Sequence, residues 1–417
     1  MDAGGAHPGH PFGTFFVAAH SAQGPRLGLP QMIQSRPQFG YVGALLVWVF
    51  ALATYVGFNG FCEVIGGQIL QATVGLPSVP AGVAVAVVAV LVAITGYRLI
   101  HRAQRWLTAA LLATFFAVTV AVVAAVPVPA EQLAPSGFAA VPFLAQFGAS
   151  TGYQLSWAIY VSDYSRYLPA DIGNRSSFWW TYTGAFLGSW WPMSLGAWGV
   201  IATGLPDPIA AMIQAGNSVV PGLGLITVLI SLLGLMTITA LNFYGGSLTL
   251  ISIIVTLRSL RPTRRLRVSA LAVLLVTNVG LALLTGADLV ASFSVFLTWL
   301  LYVLTPWTSI NLVDFYAVRH GRYSVREIFN PAGIYGRASW RGLVSYAIGF
   351  AAMVPFFSVS SYAGPAARAL GGADIAVFVG LLVSGACYWL ACRSLDLQRE
   401  HQILAHIDAE LEIARHD

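Results

Sequence analysis

The sequence predicts an all-α polytopic membrane protein with about ten full spans. Of its 417 residues, 57% are hydrophobic and only 9% are charged, whereas soluble domains contain about 25% charged residues. Ten apolar windows reach the length of about 20 residues that a helix needs to cross a hydrocarbon core of ~30 Å. Helices are expected because backbone groups inside a bilayer must hydrogen-bond within the chain. The windows are 41–70, 80–98, 105–126, 143–162, 178–203, 218–257, 267–286, 287–310, 342–362 and 374–394.

Arginines occupy every second loop, and this alternation predicts the orientation of the chain. They cluster before the first window and after the second, fourth, sixth and eighth windows, and only Arg368 breaks the pattern. Loops rich in lysine and arginine stay on the cytoplasmic side of a membrane. We therefore expect a multi-pass protein of the cell (plasma or inner) membrane. Its polar tail, residues 395–417, is predicted to be cytoplasmic and to form a short helix.

The chain before the first window contains no full span. The apolar run from Gly13 to Ala19 is too short, and residues 13–40 are interpreted as the remnant of a span followed by a cytoplasmic loop. Residues 1–12 are rich in glycine, proline and histidine and are predicted to be disordered. They lack the basic segment, apolar core and cleavage site of a signal peptide. The membrane domain is thus predicted to cover residues 13–394.

The composition of the loops and spans favours a carrier driven by an ion gradient over a membrane enzyme or a channel. The spans are closely connected, and no GxxxxGK[ST] phosphate loop is present. The eight histidines lie outside the spans, and the three cysteines lack the spacing of a metal site. The net charge of +5 is explained by the inside-facing loops. We expect a small-molecule substrate, a coupling ion and the lipid bilayer as partners, with no nucleic acid and no cofactor.

Three polar residues in the first full span share one face. Tyr55, Asn59 and Glu63 are each four residues apart, so they lie close together around a helix. Polar groups within a membrane usually face the protein interior or a water-filled cavity, and they are often functional. The alternative is helix packing, in which Asn59 bonds to another helix and Glu63 reaches the outer headgroups.

Two further spans contain polar clusters. Residues 148–157 combine two glycines with hydroxyl and amide groups, which predicts a broken helix that exposes backbone to a substrate; a kinked but structural helix is the alternative. The centre of window 218–257 contains Thr237, Thr239 and Asn242. Hydroxyl oxygens suit a small cation, and an amide offers a donor and an acceptor to a heterocycle. Threonine hydroxyls also commonly bond back to their own helix.

Three cytoplasmic flanks carry a resemblance to a known family. The segments 21–40 (SAQGPRLGLPQMIQSRPQFG), 157–169 (WAIYVSDYSRYLP) and 306–323 (PWTSINLVDFYAVRHGRY) resemble the nucleobase:cation symporter-1 family, in particular its purine–cytosine permease branch. The resemblance implies a leucine-transporter-like fold of two inverted five-helix repeats plus two C-terminal helices. It also implies import of cytosine or a purine with a proton or a sodium ion.

The family has 12 spans, so the resemblance implies that this chain is N-terminally truncated. The first span and half of the second have no counterpart here. A mis-called start codon, a fragment and a degenerate copy are the three explanations. The mis-called start is favoured because the downstream loops keep their family character, and an in-frame apolar helix encoded upstream of Met1 would show it.

The resemblance assigns roles to residues of three spans. It implies that Tyr55 stacks on the base and that Asn59 bonds to its edge. A second aromatic is expected on the other side of the base, for which Trp157 is our choice and Gln154 the alternative, with Ser156 in the same neighbourhood. In the span around residue 240, Asn242 is expected to bond the base and Thr237 to bind sodium. Met236 stands where a serine is common in the family, which weakens the case for sodium.

Coupling and gating remain open at the level of the sequence. If protons drive transport, Glu63 is the only acidic residue well inside a full span; an outer-edge carboxylate with no coupling role is the alternative. Asp163, Arg166 and Asp314 are candidates for a cytoplasmic gate, although loop salt bridges usually contribute little. A membrane sensor that binds a nucleobase without moving it, or an inactive truncated homologue, is the competing function.

Overall fold

The computed structural model describes residues 9–95, 97–125, 139–258, 260–261, 263–285 and 289–416. These residues are mainly helical. The helices of the N-terminal half are α1 (Gly9–Ser21), α2 (Gln23–Leu27), α3 (Arg36–Phe39), α4 (Leu45–Val74), α5 (Ser78–Thr95), α6 (Tyr97–Ala125), α7 (Ala140–Ala158), α8 (Ser162–Ser165), α9 (Asn174–Thr203) and α10 (Pro208–Asn217). Short 3-10 turns occur at Ile33–Ser35 and Ala170–Ile172.

The C-terminal half continues the helical pattern with one small hairpin. Its helices are α11 (Leu223–Leu257), α12 (Arg264–Thr285), α13 (Leu289–Leu312), α14 (Val325–Ile328), α15 (Trp340–Met353), α16 (Pro365–Ala369), α17 (Ala376–Cys392) and α18 (Leu397–His416). A π-helical turn, Val313–Val318, follows α13 directly, and Val354–Phe356 forms a 3-10 turn. Strands β1 (Ser358–Val359) and β2 (Tyr362–Ala363) pair antiparallel.

A helix occupies each of the ten apolar windows. By length and composition, six helical segments within the described residues can each cross a membrane. They lie in α4, α5, α6, α11, α12 and in α13 with its π-helical turn. A bent pair, α17 with the first part of α18, would be a seventh, with an angle of 77° between its parts. The helices in the other predicted windows are shorter or less apolar, α15 having only 14 residues. The prediction that the tail forms a helix agrees with α18.

The helix α1 begins at Gly9, whereas the sequence predicts an ordered chain only from residue 13. Residues 9–12, expected to be disordered, belong to this helix. The reason is close packing on α7. A Cβ atom at Gly9 would lie 2.0 Å from the carbonyl oxygen of Phe147, and one at Gly13 would lie 2.7 Å from Cβ of Gln154. The two glycines therefore let α1 approach the backbone of α7.

The predicted break within residues 148–157 is wrong, because α7 is continuous from Ala140 to Ala158. Its glycines serve helix packing instead. A Cβ atom at Gly152 would lie 2.5 Å from the carbonyl oxygen of Leu297 in α13, and one at Gly148 would contact the side chain of Leu301. The absence of side chains at these positions brings the two helices together, which offsets the low helix propensity of glycine.

The chain divides into two compact units. The first contains Leu52–Phe138 and Leu187–Ser294, and the second contains Pro8–Ala51, Ala139–Phe186 and Val295–Asp417. Apolar clusters lie inside each unit. The first unit has one cluster of Ile69, Val85, Val228 and Leu232 and another of Val118, Val122, Leu195 and Ala215, whereas the second has Tyr302, Met353, Phe357 and Ala376.

Candidate functional site

Two helices of the first unit, α4 and α11, pack closely and run in opposite directions. The ring of Tyr55 lies against the backbone of α11, where a Cβ atom at Gly245 would be 2.8 Å from Cζ of the tyrosine. Two turns further along α4, the side chain of Cys62 lies against Thr239 of α11. As residue numbers rise along α4, they fall by nearly the same amount along α11, which defines an antiparallel register.

The register places Asn59 of α4 level with Asn242 of α11. Both side chains are buried, with exposed fractions of 1% and 5%, and Tyr55 is also 5% exposed. The Oδ1 atom of Asn59 has no hydrogen-bond partner among the described residues. The fold thus brings an aromatic ring and two amides, all three predicted to bind substrate, to one interface between helices.

The Thr237 hydroxyl is directed to its own helix. It donates to the carbonyl oxygen of Gly234 at 2.8 Å, and the Thr239 hydroxyl donates to that of Leu235 at 2.7 Å. Such back-bonding is the structural alternative considered for these residues. It uses the hydroxyl proton and leaves oxygen lone pairs, so the sodium role of Thr237 stays a prediction.

Glu63 faces a different neighbouring helix from Tyr55 and Asn59. Its side chain neighbours Asn278 of α12, and both residues are only 1% exposed. The alternative in which Glu63 reaches the outer headgroups does not fit this burial. Sequence reasoning missed Asn278, although a lone amide in the apolar run LAVLLVTNVGLALLT is the signal that could have identified it.

The predicted binding residues of α7 lie in the second unit. Gln154 and Ser156 are buried, whereas Trp157 is partly exposed with its ring 6.0 Å from that of Tyr160. The Gln154 amide donates to the carbonyl oxygen of Ala185 at 3.4 Å, and Ser156 donates to that of Tyr153 at 2.5 Å. Their role in substrate binding stays a prediction.

The three gate candidates also belong to the second unit, but they do not form one cluster of ion pairs. The backbone N–H of Gln31 donates to the Asp163 carboxylate at 2.9 Å. Burial raises the pKa of Asp163 to about 6, against the opposing effects of this N–H group and of Arg166. Arg166 itself donates to the Tyr167 hydroxyl at 2.9 Å. Asp314 instead pairs with Arg319.

Asp314 is the centre of a buried polar network. Its carboxylate accepts hydrogen bonds from the Gln38 amide at 2.6 Å and from the hydroxyls of Tyr323 at 2.8 Å and Tyr388 at 2.9 Å, in addition to its pairing with Arg319. Asp314 is fully buried and serves as the acceptor for four side chains, and its role in a cytoplasmic gate, like that of Asp163 and Arg166, stays a prediction.

The network continues into the C-terminal tail through Arg319. The Nε atom of Arg319 donates to the Glu400 carboxylate of α18 at 2.9 Å. Burial alone lowers the pKa of Arg319, but the nearby Asp314 and Glu400 outweigh it, so that the pKa lies well above its ordinary value. Sequence reasoning missed Arg319 and Glu400 as partners because they are 81 residues apart.

Buried glutamines form a second polar layer near the start of the second unit. Gln23 donates to the Asn311 side chain at 2.9 Å, and Gln31 contacts the His20 ring at 3.1 Å and accepts from Ser162 at 2.6 Å. The segment 21–40, which carried part of the family resemblance, holds these glutamines. The glutamines of this segment therefore form hydrogen bonds inside the protein, in addition to any part the segment has as a cytoplasmic loop.

Comparison with protein families and named relatives gives consistent matches. The family described as "Permease for cytosine/purines, uracil, thiamine, allantoin" matches residues 8–380. A Bacillus subtilis (strain 168) protein named "Putative purine-cytosine permease YxlA" is 37% identical over 383 residues, which cover 91% of this chain and 82% of the relative. The Emericella nidulans purine-cytosine permease fcyB is 24% identical over 413 residues, covering 93% of this chain and 77% of the relative.

Solved structures of the nucleobase-cation-symport-1 transporter Mhp1 share the fold of this chain. The closed conformation with bound bromovinylhydantoin has a TM-score of 0.72 at 18% sequence identity, covering 94% of this chain and 84% of Mhp1. The inward-facing conformation has a TM-score of 0.67 at 18% identity, covering 94% and 85%. The likeness confirms the predicted all-α polytopic membrane fold of the leucine-transporter type.

Proposed function

Because the chain belongs to the family of permeases for cytosine and purines, uracil, thiamine and allantoin, we propose that it is a secondary active transporter of a nucleobase. Cytosine or a purine is the expected substrate, since both named relatives are called purine-cytosine permeases. A proton or a sodium ion would drive uptake, and alternating access would expose the site to each side in turn. The C-terminus of this transporter would lie in the cytoplasm.

The observation that carries the proposal is the α4–α11 interface. A tyrosine ring there provides a face on which a planar base can stack, and the matched amides of Asn59 and Asn242 provide donors and acceptors for its edge. The unpartnered Oδ1 atom of Asn59 fits a group that awaits a ligand. A buried amide that loses its partner costs about 1–3 kcal/mol, which is enough to discriminate between bases. The α7 residues Gln154, Ser156 and Trp157 are proposed as further binding residues.

The experiment is uptake of radiolabelled cytosine, adenine and hypoxanthine into cells that lack their own base permeases, together with binding to the purified protein. Accumulation of at least one base is expected. Asn59→Ala and Asn242→Ala should each weaken binding about 5- to 150-fold, the equivalent of about 1–3 kcal/mol. Asn174→Ala, at an exposed position at the start of α9, is the matched control and should bind normally.

Each outcome has a defined meaning. Binding without accumulation would overturn the carrier and favour the competing function, a membrane sensor for a nucleobase. Neither binding nor accumulation would overturn both. Normal binding by the Asn59 and Asn242 variants in a transporting protein would place the substrate elsewhere.

A further inference from the structure

Glu63 and Asn278 form a buried acid–amide pair between α4 and α12. Apart from the contact of these two side chains with each other, both carboxylate oxygens of Glu63 and both polar atoms of the Asn278 amide lack hydrogen-bond partners among the described residues. The two side chains are neighbours and each is 1% exposed. Buried polar groups are rarely left unsatisfied in proteins, so four such atoms in one place indicate a site with a function beyond packing.

The register of α4 against α12 supports this pairing. A Cβ atom at Gly60 would lie 3.4 Å from the Leu281 side chain, and the next matched level, three residues on in each helix in opposite directions, is that of Glu63 and Asn278. The register of the two helices therefore places Glu63 and Asn278 opposite each other. Glu63 lies one turn from Asn59 on the same helix.

The helices packed against Glu63 offer it no positive charge. Helices α5 and α11 contain no lysine, arginine, histidine or carboxylate, and the one titratable side chain of α11, Tyr244, lies under the guanidinium of Arg267. The arginines of α12 lie in its first turn, about 16 Å along the axis from Asn278 at 1.5 Å per residue. On α4 itself, Cys62 is adjacent and Tyr55 lies two turns away.

Close backbone packing limits access of water to this level. A Cβ atom at Gly82 of α5 would lie 2.6 Å from the carbonyl oxygen of Glu63, and one at Gly67 would lie 2.1 Å from that of Ser78. An ionised carboxylate needs either a counter-charge or several donors when it leaves water. Ionised Glu63 would thus require water to enter, which these contacts permit only if α4 moves relative to its neighbours.

From this geometry we infer that Glu63, held beside Asn278, carries the coupling proton of the transporter. The carboxylate takes up one proton on the side from which the base enters and becomes a neutral acid that the interior tolerates. It releases that proton to water on the other side and returns as a carboxylate. No bond other than O–H forms or breaks. The inference rests on the proposed function and names its ion and its proton-binding residue.

Coupling to the substrate follows from the shared helix. Tyr55 and Asn59 contact the α11 side of α4, and Glu63 contacts the α12 side, so a shift of α4 that hydrates Glu63 also moves the base-binding groups. Proton binding and base binding then favour the same position of α4, and each strengthens the other by the same factor. This factor is typically about 5- to 150-fold.

The test uses the full chain in proteoliposomes with an inward proton gradient and no sodium. The wild-type protein should accumulate labelled base and take up protons with it, as measured by a pH-sensitive dye. Glu63→Gln keeps the shape of the side chain but cannot release a proton, so the internal concentration of base should rise only to the external concentration and not above it. The variant should still exchange internal for external base, because exchange needs no net proton movement.

Controls separate this inference from the proposed function. Asp171→Asn, in the exposed 3-10 turn Ala170–Ile172, should accumulate base like the wild type. If Glu63→Gln fails to fold, Glu63→Asp is the alternative variant, because it keeps an acid but changes its position. It should retain proton-driven accumulation, with the dependence of accumulation on pH shifted from that of the wild type. An unshifted pH dependence would overturn the inference. Accumulation driven by sodium alone and unaffected by Glu63→Gln would also overturn it. A wild-type protein that neither exchanges nor accumulates any base would instead refute the proposed function.

Discussion

The position of Tyr55 depends on a glycine of α11. The tyrosine ring fills the space that a side chain at Gly245 would need, at 2.8 Å from Cζ and from the hydroxyl oxygen. A helical glycine is usually unfavourable compared with alanine by about 0.5–1 kcal/mol. At Gly245 the missing side chain is what lets the ring lie against the α11 backbone, so a glycine of the neighbouring helix determines the position of a proposed stacking surface.

Gly245→Ala should therefore displace the Tyr55 ring and weaken base binding. Overpacking of this kind typically costs about 1–3 kcal/mol, and we expect both a lower melting temperature in detergent and a higher Kd for the base. Gly188→Ala is the matched control, because a Cβ atom there meets nothing within 4 Å. Unchanged base binding by the Gly245 variant would show that the position of the ring is not important for recognition.

The sequence could predict which residues share a face but not which neighbour each one meets. The spacing of Tyr55, Asn59 and Glu63 correctly places them along one side of α4. Over the eight residues from Tyr55 to Glu63 the direction rotates by about 80°, which is enough to turn Glu63 from α11 to α12. Asn278 could not be assigned as its neighbour because no local pattern records which helices pack together or in what register.

At the scale of whole elements, the glycines of α7 show why a composition rule failed. Low helix propensity predicted a break, yet Gly148 and Gly152 lie on a continuous helix where they face α13. Helix propensity is a property of the segment itself, whereas close packing depends on a neighbouring helix. In α7 the packing against α13 outweighs the low helix propensity of the glycines. The same packing against α7 orders residues 9–12 of α1, which composition alone had assigned to a disordered segment.

The C-terminal helix α18 is joined to the rest of the second unit by the charge network of Arg319. Removing one partner of a buried ion pair typically costs about 3–5 kcal/mol because the other charge is left uncompensated. Arg319→Met should therefore destabilise the protein by about this amount, since Asp314 is fully buried. Glu400→Gln should cost less, because the amide oxygen can still accept from Arg319 and the Asp314 pair is kept.

The melting temperatures of Arg319→Met and Glu400→Gln in detergent would measure how much each change destabilises the protein. Arg399→Met is the matched control. Arg399 is exposed on the same helix α18, and such surface changes usually lie within about 0.5 kcal/mol of the wild type. If Arg319→Met had the same melting temperature as Arg399→Met, the contacts of Arg319 would not contribute to stability and would not hold the tail in place.

At the scale of the whole molecule, the hydropathy of the sequence located a helix in each of the ten windows but did not determine where each helix ends. Window 374–394 matches α17 (Ala376–Cys392), whereas in window 342–362 the helix α15 ends at Met353. The residues between α15 and α17 form a 3-10 turn, a hairpin and α16. The Asp374 carboxylate organises this connection by accepting from the backbone N–H of Ser358 at 3.1 Å and of Ala376 at 2.9 Å, contacts that hydropathy does not encode.

The global stability of the protein should depend on pH through Asp163. Burial raises its pKa from 3.8 to about 6 in the folded chain, so between these values the folded state binds more protons than the unfolded state. Stability linked to Asp163 is then greatest below the lower value and decreases as pH rises toward the upper one. Asp163→Asn keeps an oxygen that can accept from the N–H group of Gln31 but removes the titration.

We therefore expect Asp163→Asn to be more stable than the wild type at pH 7 and nearly equal to it at pH 4. Melting temperatures in detergent measured across this range would reveal the flatter profile of the variant. Asp171→Asn removes an exposed acid from the next turn and should leave the wild-type slope intact. If the Asp163 variant kept the full wild-type slope, the proton taken up on folding would belong to another group, and Asp163 would be ionised throughout because Arg166 compensates its charge.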